Sequence, residues 1–282
     1  MKEFIKLFVP PFLTKIKSIV LNKDEQKYYN SYQDALKDSD IESYYSDDLI
    51  NVIFEKTKIY KKELQLKAHQ SFNSSEVNLL TAILLVYKFK KSETINVIDF
   101  GGACGSHYYQ VRECLEKNIK LKYCVVETSA MVRKAKVLSS DELSFNENLE
   151  NTAYSYNSDI DLIHTSGTLQ SIDEPYKYLE KIFNCNATYI LFNRLTMTTG
   201  NRDLITVQTS KLSSNGIGSL PDGFKDRLVK YPHINIRKSK FDSMLSEKYE
   251  IVYCFNETSG IIHSNKEFIL GFGLLCKKKA VV

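Results

Sequence analysis

The segment Val97-Ile98-Asp99-Phe100-Gly101-Gly102-Ala103-Cys104-Gly105 constrains this chain more than any other. A short apolar run suited to a buried strand delivers an acid near its tip. Glycines then let the main chain turn sharply and approach a ligand before a helix begins around Ser106. From residue 94 onward, short apolar runs at 96–100, 122–126, 161–165, 188–193, 250–255 and 268–276 alternate with helical stretches at 107–117, 129–138, 174–183 and 240–248. A weaker strand falls at 143–146. This series predicts an α/β fold: a doubly wound, mostly parallel seven-stranded sheet, with ligands at the carboxyl ends of its strands. The last two runs have no helical pattern between them and are expected to pair as an antiparallel C-terminal hairpin. Helical patterns at 48–67 and 75–88 form an N-terminal extension to the sheet.

The glycine loop excludes two common ligand classes. A dinucleotide fingerprint counted from Gly101 would need glycine at Ala103 and Ser106, and a phosphate-cradling P-loop would need Gly-Lys-Ser/Thr to follow. The segment resembles motif I of the S-adenosylmethionine-dependent class I methyltransferases, an acid and one spacer followed by glycines at alternate positions. Asp99, Gly101 and Gly105 match, Ala103 stands at the middle glycine and Gly102 at a spacer. Glu127 ends Val125-Val126-Glu127, where that family places an acid on the cofactor ribose. The strand at 161–165 and the turn Ser166-Gly167 resemble its motif IV region, beneath the methionine moiety. The resemblance implies S-adenosylmethionine as cofactor, held by Asp99, Gly101, Gly102, Ala103, Cys104, Gly105, Tyr109, Glu127, Thr128, Thr165, Ser166 and Gly167. No Asn/Asp-Pro-Pro-Tyr/Phe is present, which disfavours methylation of nucleic-acid amines. The strand tip Thr165-Ser166-Gly167 has no carboxylate, so no metal of the magnesium-dependent catechol type is expected.

A narrower resemblance rests on 100–112, on Val125-Val126-Glu127, on Leu169-Gln170 with Glu174-Pro175-Tyr176, and on Asn201-Arg202-Asp203 with Thr206-Val207-Gln208. These look like a bacterial family of methyltransferases linked to surface-polysaccharide gene clusters, over roughly 31–257. That resemblance implies O-methylation of a sugar hydroxyl, on a carbohydrate or lipid-linked glycan acceptor.

Charge and cysteine usage narrow the partners. Of 38 basic residues only six are Arg, and the net charge is +4, a balance that argues against nucleic acid as the main ligand. The six cysteines form no Cys-x-x-Cys and have no histidine at zinc-ligand spacing, which fits a reducing, cytoplasmic setting. Residues 1–23 mix apolar residues with Lys2, Lys6, Lys15, Lys17 and Lys23. The stretch is too interrupted to span a bilayer. Phe12, Ile16, Ile19 and Val20 share a helical face, a candidate membrane-surface anchor or a helix packed on protein. Oligomeric state is not legible.

Methyl transfer to an alcohol needs a positioned base, and imidazole suits neutral pH. His233, in the long insert 194–240 expected to fold over the acceptor, is the first candidate and His107, at the start of the helix after the glycine loop, the second. His164 lies within a buried strand and reads as a core residue. Arg194, Arg202, Gln208 and Tyr231 are candidate acceptor contacts, and Asp203 and Arg237 gather in the same insert. Gly216-Ile217-Gly218 and Pro221-Asp222-Gly223 would hinge a lid. Tyr108 and Tyr109 are placed to shield a sulfonium or to pack the first helix on the sheet. The competing readings are a methyltransferase of protein, nucleic acid or a small molecule, and a non-catalytic scaffold that keeps the fold.

Overall fold

The structure, a computed structural model, describes residues 27–40, 46–66, 73–90, 93–157, 159–262 and 268–280, with side chains 256–262 left aside. The expected amphipathic helix at 1–23 lies outside the described residues. The elements in chain order are α1 (Tyr32–Lys37), α2 (Asp47–Leu66), α3 (Ser74–Phe89), β1 (Thr94–Phe100), α4 (Ser106–Cys114), β2 (Lys120–Val126), α5 (Ser129–Ala135), β3 (Leu143–Asn146), α6 (Leu149–Ser155), β4 (Leu162–Ser166), α7 (Pro175–Asn184), β5 (Tyr189–Thr198), β6 (Leu204–Lys211), β7 (Leu228–Arg237), α8 (Lys238–Lys248), β8 (Tyr249–Ile262) and β9 (Phe268–Lys278). No described helix is long and apolar enough to cross a membrane.

Seven strands make the main sheet in the order β3-β2-β1-β4-β5-β9-β8. β1 to β5 run parallel, and β9 is antiparallel to both β5 and β8, as the missing helix between the last two apolar runs predicts. Alternate residues of the buried strands fill two cores. Val97, Val125 and Leu162 join Leu49, Ile53, Leu79 and Ile83 of α2 and α3, whereas Ile98, Ile163 and Phe192 join Leu179, Phe183 and Phe241 of α7 and α8. Both faces are covered, so the ends of the strands are where function can be placed.

Two stretches differ from the sequence expectation. The helix α6 is short and mostly polar, but Asn148 caps it by accepting from the Asn151 amide at 2.8 Å, and Leu149 and Ala153 reach the core. The insert expected as a flexible lid contains a hairpin instead: β6 and β7 pair antiparallel from Leu204↔Asn235 to Lys211↔Leu228. This hairpin hangs on the far end of β5, where Met197 and Thr198 pair with Ile236 and Arg237 beyond the tip of β4. The segment before α2 docks on it, since Tyr29 bridges Ile205 and the Lys230 amide donates to Asp40 Oδ2 at 2.8 Å. The Gly216 end of the expected hinge is tied down. Lys56, 1% exposed, donates to the carbonyls of Ser213 (2.8 Å), Asn215 (2.7 Å) and Gly216 (3.1 Å).

Candidate functional site

The loop after β1 takes the left-handed backbone at every second residue, with φ of +78° at Gly101, +50° at Ala103 and +80° at Gly105. Those are the three positions where the alternating-glycine pattern puts glycine, and Ala103 holds its place against strain. Gly101 has a second reason, because a Cβ there would sit 2.0 Å from Thr168 Oγ1. Gly102 likewise leaves room for Asp99, whose Oδ2 would be 2.3 Å from an added Cβ. Gly105 caps α4 without a side-chain acceptor, so no side chain satisfies the first-turn amides of that helix from the cap position.

Glu127, at the tip of β2, is half-buried. Its Oε1 accepts from the Ala103 amide at 3.2 Å and its Oε2 from the Thr128 amide at 2.8 Å, so one carboxylate ties the two loops together. Burial raises its pKa from the ordinary value against the pull of those amides. Each oxygen keeps a lone pair able to accept a hydroxyl. Half-exposed Gly101, Ala103, Ser106 and His107 share this rim with Glu127, Thr128 and Gly167.

Asp99 does not face this rim. It is fully buried and is the hub of a network: its Oδ2 accepts from His107 Nδ1 and the Tyr123 hydroxyl, and its Oδ1 from His164 Nδ1, all at 2.9 Å. The parallel register sets His164 beside Asp99. Proton positions follow from the far end. Asn193 Nδ2 donates to the Ser75 carbonyl at 3.0 Å, so nitrogen rather than oxygen must face His164 Nε2, also at 3.0 Å. His164 Nε2 is therefore an acceptor and its Nδ1 carries the proton given to Asp99. Burial is the largest influence on His164 and lowers its pKa, which keeps the ring neutral. Burial would raise the Asp99 pKa, but the neighbouring His107 and His164 override it and hold the carboxyl well below the usual range. Asp99, His107 and His164 also have the composition and proximity of a metal-ligand trio, their ligand atoms lying within 4.8 Å. The fixed Nδ1–H of His164 makes the trio a hydrogen-bond hub instead.

His107 is the member of this hub that reaches the surface, its side chain one-quarter exposed. With Nδ1 engaged by Asp99, Nε2 is directed away from the carboxylate as the available ring nitrogen, the carboxylate–imidazole arrangement of a general base. His233 is placed differently. It is 4% exposed, its Nε2 lies 2.9 Å from Thr196 Oγ1, and burial lowers its pKa to about 4.

The remaining candidates separate into groups. Tyr108 and Tyr109 pack in the core, their hydroxyls donating to Glu142 Oε2 at 2.9 Å and the Leu138 carbonyl at 3.2 Å, so packing accounts for both rings. Cys104 is buried against Met131, with sulfur to sulfur at 3.5 Å. Thr165 and Ser166 are buried in β4, and Thr165 Oγ1 has no partner among the described residues. Gln208 and Tyr231 face each other across the β6–β7 hairpin, while Arg202 lies exposed before it. Asp203 accepts from the Tyr176 hydroxyl at 2.5 Å and the Arg237 amide at 2.7 Å, joining α7 to the hairpin beside a cavity of about 390 Å³ lined by Tyr32, Glu174, Tyr176 and Asp203.

The strand order, with the antiparallel β9 between β5 and β8, is that of the Rossmann-like methyltransferase fold, and the glycine loop and Glu127 occupy its ligand end. No family model and no curated protein matches the chain. Solved structures similar to it include an S-adenosylmethionine-dependent methyltransferase from Clostridium acetobutylicum ATCC 824, at 11% identity over 80% of this chain and 98% of that one, with a TM-score of 0.44. The [4+2]-cyclase SpnF is also 11% identical, over 82% and 97%, with a TM-score of 0.42. An O-methyltransferase from Bacillus cereus is 11% identical over 88% and 100%, with a TM-score of 0.38. Likeness of this degree concerns the fold alone, and the named activities already differ.

Proposed function

We propose that the chain is an S-adenosylmethionine-dependent, metal-independent O-methyltransferase whose acceptor is a sugar hydroxyl of a bacterial surface polysaccharide or its lipid-linked precursor. One observation carries the reading: a carboxylate at the tip of β2 is hydrogen-bonded to a glycine-type loop at the tip of β1, with left-handed backbone at Gly101, Ala103 and Gly105. The donor set suits the cofactor. Glu127 offers acceptor lone pairs to ribose hydroxyls, and the first turn of α4, with no side-chain cap, suits an anionic tail. When bound, the cofactor supplies an electrophilic methyl group. His107 Nε2 would take the acceptor's hydroxyl proton as the methyl carbon–oxygen bond forms and the methyl–sulfur bond breaks, its electron pair returning to the sulfur, while Asp99 orients the ring through Nδ1 and stabilises the imidazolium. Asp99 thus acts behind the loop rather than on the cofactor. The buried and occupied Nε2 of His233 favours His107 over it as base. The sugar acceptor rests on the family resemblance and on the polar residues of the insert.

Isothermal titration with S-adenosylmethionine and its demethylated product tests the cofactor. Wild type should bind both, and Glu127→Gln, which turns one acceptor oxygen into a donor, should weaken both at least tenfold. Incubation with labelled methyl donor and capsule or lipopolysaccharide precursors tests the acceptor. His107→Gln should bind cofactor normally and lose turnover. Wild type that binds neither compound would return the chain to the scaffold reading.

A further inference from the structure

β5 carries an irregularity at the ligand end of the sheet. Its pairing with β9 shifts between Phe192 and Leu195, so that Asn193 and Arg194 together oppose the single residue Gly273. Such a bulge turns side chains out of their alternation. Asn193 is aimed inward at His164 and Ser75. Arg194 is exposed and held at φ +51°, a left-handed backbone that costs an arginine roughly 1–2 kcal/mol.

Two neighbours fit it there. Gln170 Nε2 donates to the Arg194 carbonyl at 2.9 Å. Gly167, at φ +70°, makes room for the guanidinium, since an added Cβ would come 2.7 Å from one of its terminal nitrogens. Gly273, opposite the bulge, leaves room for the Phe255 ring of β8, into which an added Cβ would run. The guanidinium therefore lies on the turn after β4 and acts electrostatically on His164 of the hub. Among the described residues no carboxylate pairs with it, unlike Arg112 with Glu142 and Arg227 with Asp48. The amide that clamps the bulge is unfinished too, because Gln170 Oε1 is buried with no donor among the described residues.

We infer that Arg194 is the anion anchor of the acceptor site, and that the acceptor carries a carboxylate or phosphate on the same sugar as the methylated hydroxyl. A planar guanidinium, strained into place on the turn after β4 and lacking an acid of its own among the described residues, matches such an anion. This deepens the methyl-transfer reading and rests on it for the identity of the neighbouring ligand.

The test titrates D-glucuronate, glucose 1-phosphate and D-glucose onto the full chain by calorimetry with S-adenosylhomocysteine present, and glucuronate again without it. One of the two anions should bind at least tenfold more tightly than glucose, and which one it is separates carboxylate from phosphate. Arg194→Gly is the informative variant, since glycine accepts φ +51° without strain and only the guanidinium is lost. It should keep or raise the thermal midpoint, bind S-adenosylhomocysteine as wild type does, and lose the anion preference. Arg194→Lys should recover part of it. Equal binding of the three sugars, or an anion preference that survives Arg194→Gly, overturns the inference. A tenfold loss of S-adenosylhomocysteine affinity in that variant overturns it as well, by assigning the guanidinium to the cofactor. Wild type that prefers an anion but binds no S-adenosylhomocysteine would keep the anchor and remove the methyl-transfer reading.

Discussion

Replacing Asp99 by asparagine changes almost no volume, yet the network has no arrangement that accepts it. Oδ2 takes two donors, His107 Nδ1 and the Tyr123 hydroxyl, and Oδ1 takes His164 Nδ1. If the new amide oxygen replaces Oδ2, its NH2 group faces the Nδ1–H of His164. Moving that proton to Nε2 only shifts the conflict to Asn193, whose nitrogen is fixed by the Ser75 carbonyl. If the amide is reversed, its NH2 group faces His107 Nδ1 and the Tyr123 hydroxyl; His107 can move its proton to the exposed Nε2, but the Tyr123 hydroxyl proton is stranded. At least one buried donor is left unsatisfied, at about 1–3 kcal/mol, and the surviving bonds lose their charge assistance, at about 1 kcal/mol more. A loss of about 3 kcal/mol corresponds to a fall of roughly 6–12 °C in the thermal midpoint of a chain of this size. Thermal and urea denaturation at neutral pH, followed by circular dichroism, measure it. In the double variant with Tyr123→Phe the stranded hydroxyl is gone, so the two losses should fall short of additivity by about 1 kcal/mol or more. Asp99→Asn within about 0.5 kcal/mol of wild type, or full additivity, would refute the hydrogen-bond assignment of the hub.

Burial holds the folded pKa of His233 near 4, below the unfolded value of 6.5. Its contribution is complete above pH 6.5 and is lost as pH falls toward 4, by roughly 3 kcal/mol in all; His233→Gln should flatten the acid limb of a stability–pH curve over that window. Ala103→Gly removes left-handed strain of about 1–2 kcal/mol and adds about 0.5–1 kcal/mol of unfolded-chain entropy, so urea denaturation should find it neutral or slightly stabilised where an ordinary Ala→Gly change destabilises. Lys56→Met takes the donor from three carbonyls at 213–216; it should cost about 2 kcal/mol and speed hydrogen exchange at 213–218, and unchanged exchange there would mean the loop is held by other contacts.

The sheet and its glycine loop were legible because both are written locally. Buried parallel strands need continuous apolar runs, and a turn with alternating left-handed residues needs glycine or something that tolerates the strain. The β6–β7 hairpin was not, because Tyr231-Pro232-His233 interrupts the apolar alternation of β7, and Ile205 and Val207 in β6 are separated from it by a long polar loop. Asn148, three residues before Asn151, was the available sign of α6. The hub shows a different limit. Asp99, Tyr123 and His164 come from three strands and meet only through the parallel register, while His107 returns to them from the first turn of α4. No spacing in the sequence records that Asp99 faces inward, so the motif acid read as a ligand contact and His164 as a solitary core residue. For Arg194 the residue was legible and its backbone was not. The bulge depends on how β9 pairs, some 80 residues away.

The position of β9 also governs how the molecule can be assembled. It is the last strand described but lies inside the sheet, hydrogen-bonded to β5 on one side and β8 on the other. Until residues near 278 have been synthesised, β5 offers an open, strongly apolar flank, and the bulge bearing Arg194 has no opposing strand to define it. The strands β1 to β4 can therefore order early on the ribosome, whereas the bulge is completed only once β9 has emerged. A chain cut before β9 would adhere to its own copies rather than fold as a weakened version of the same sheet.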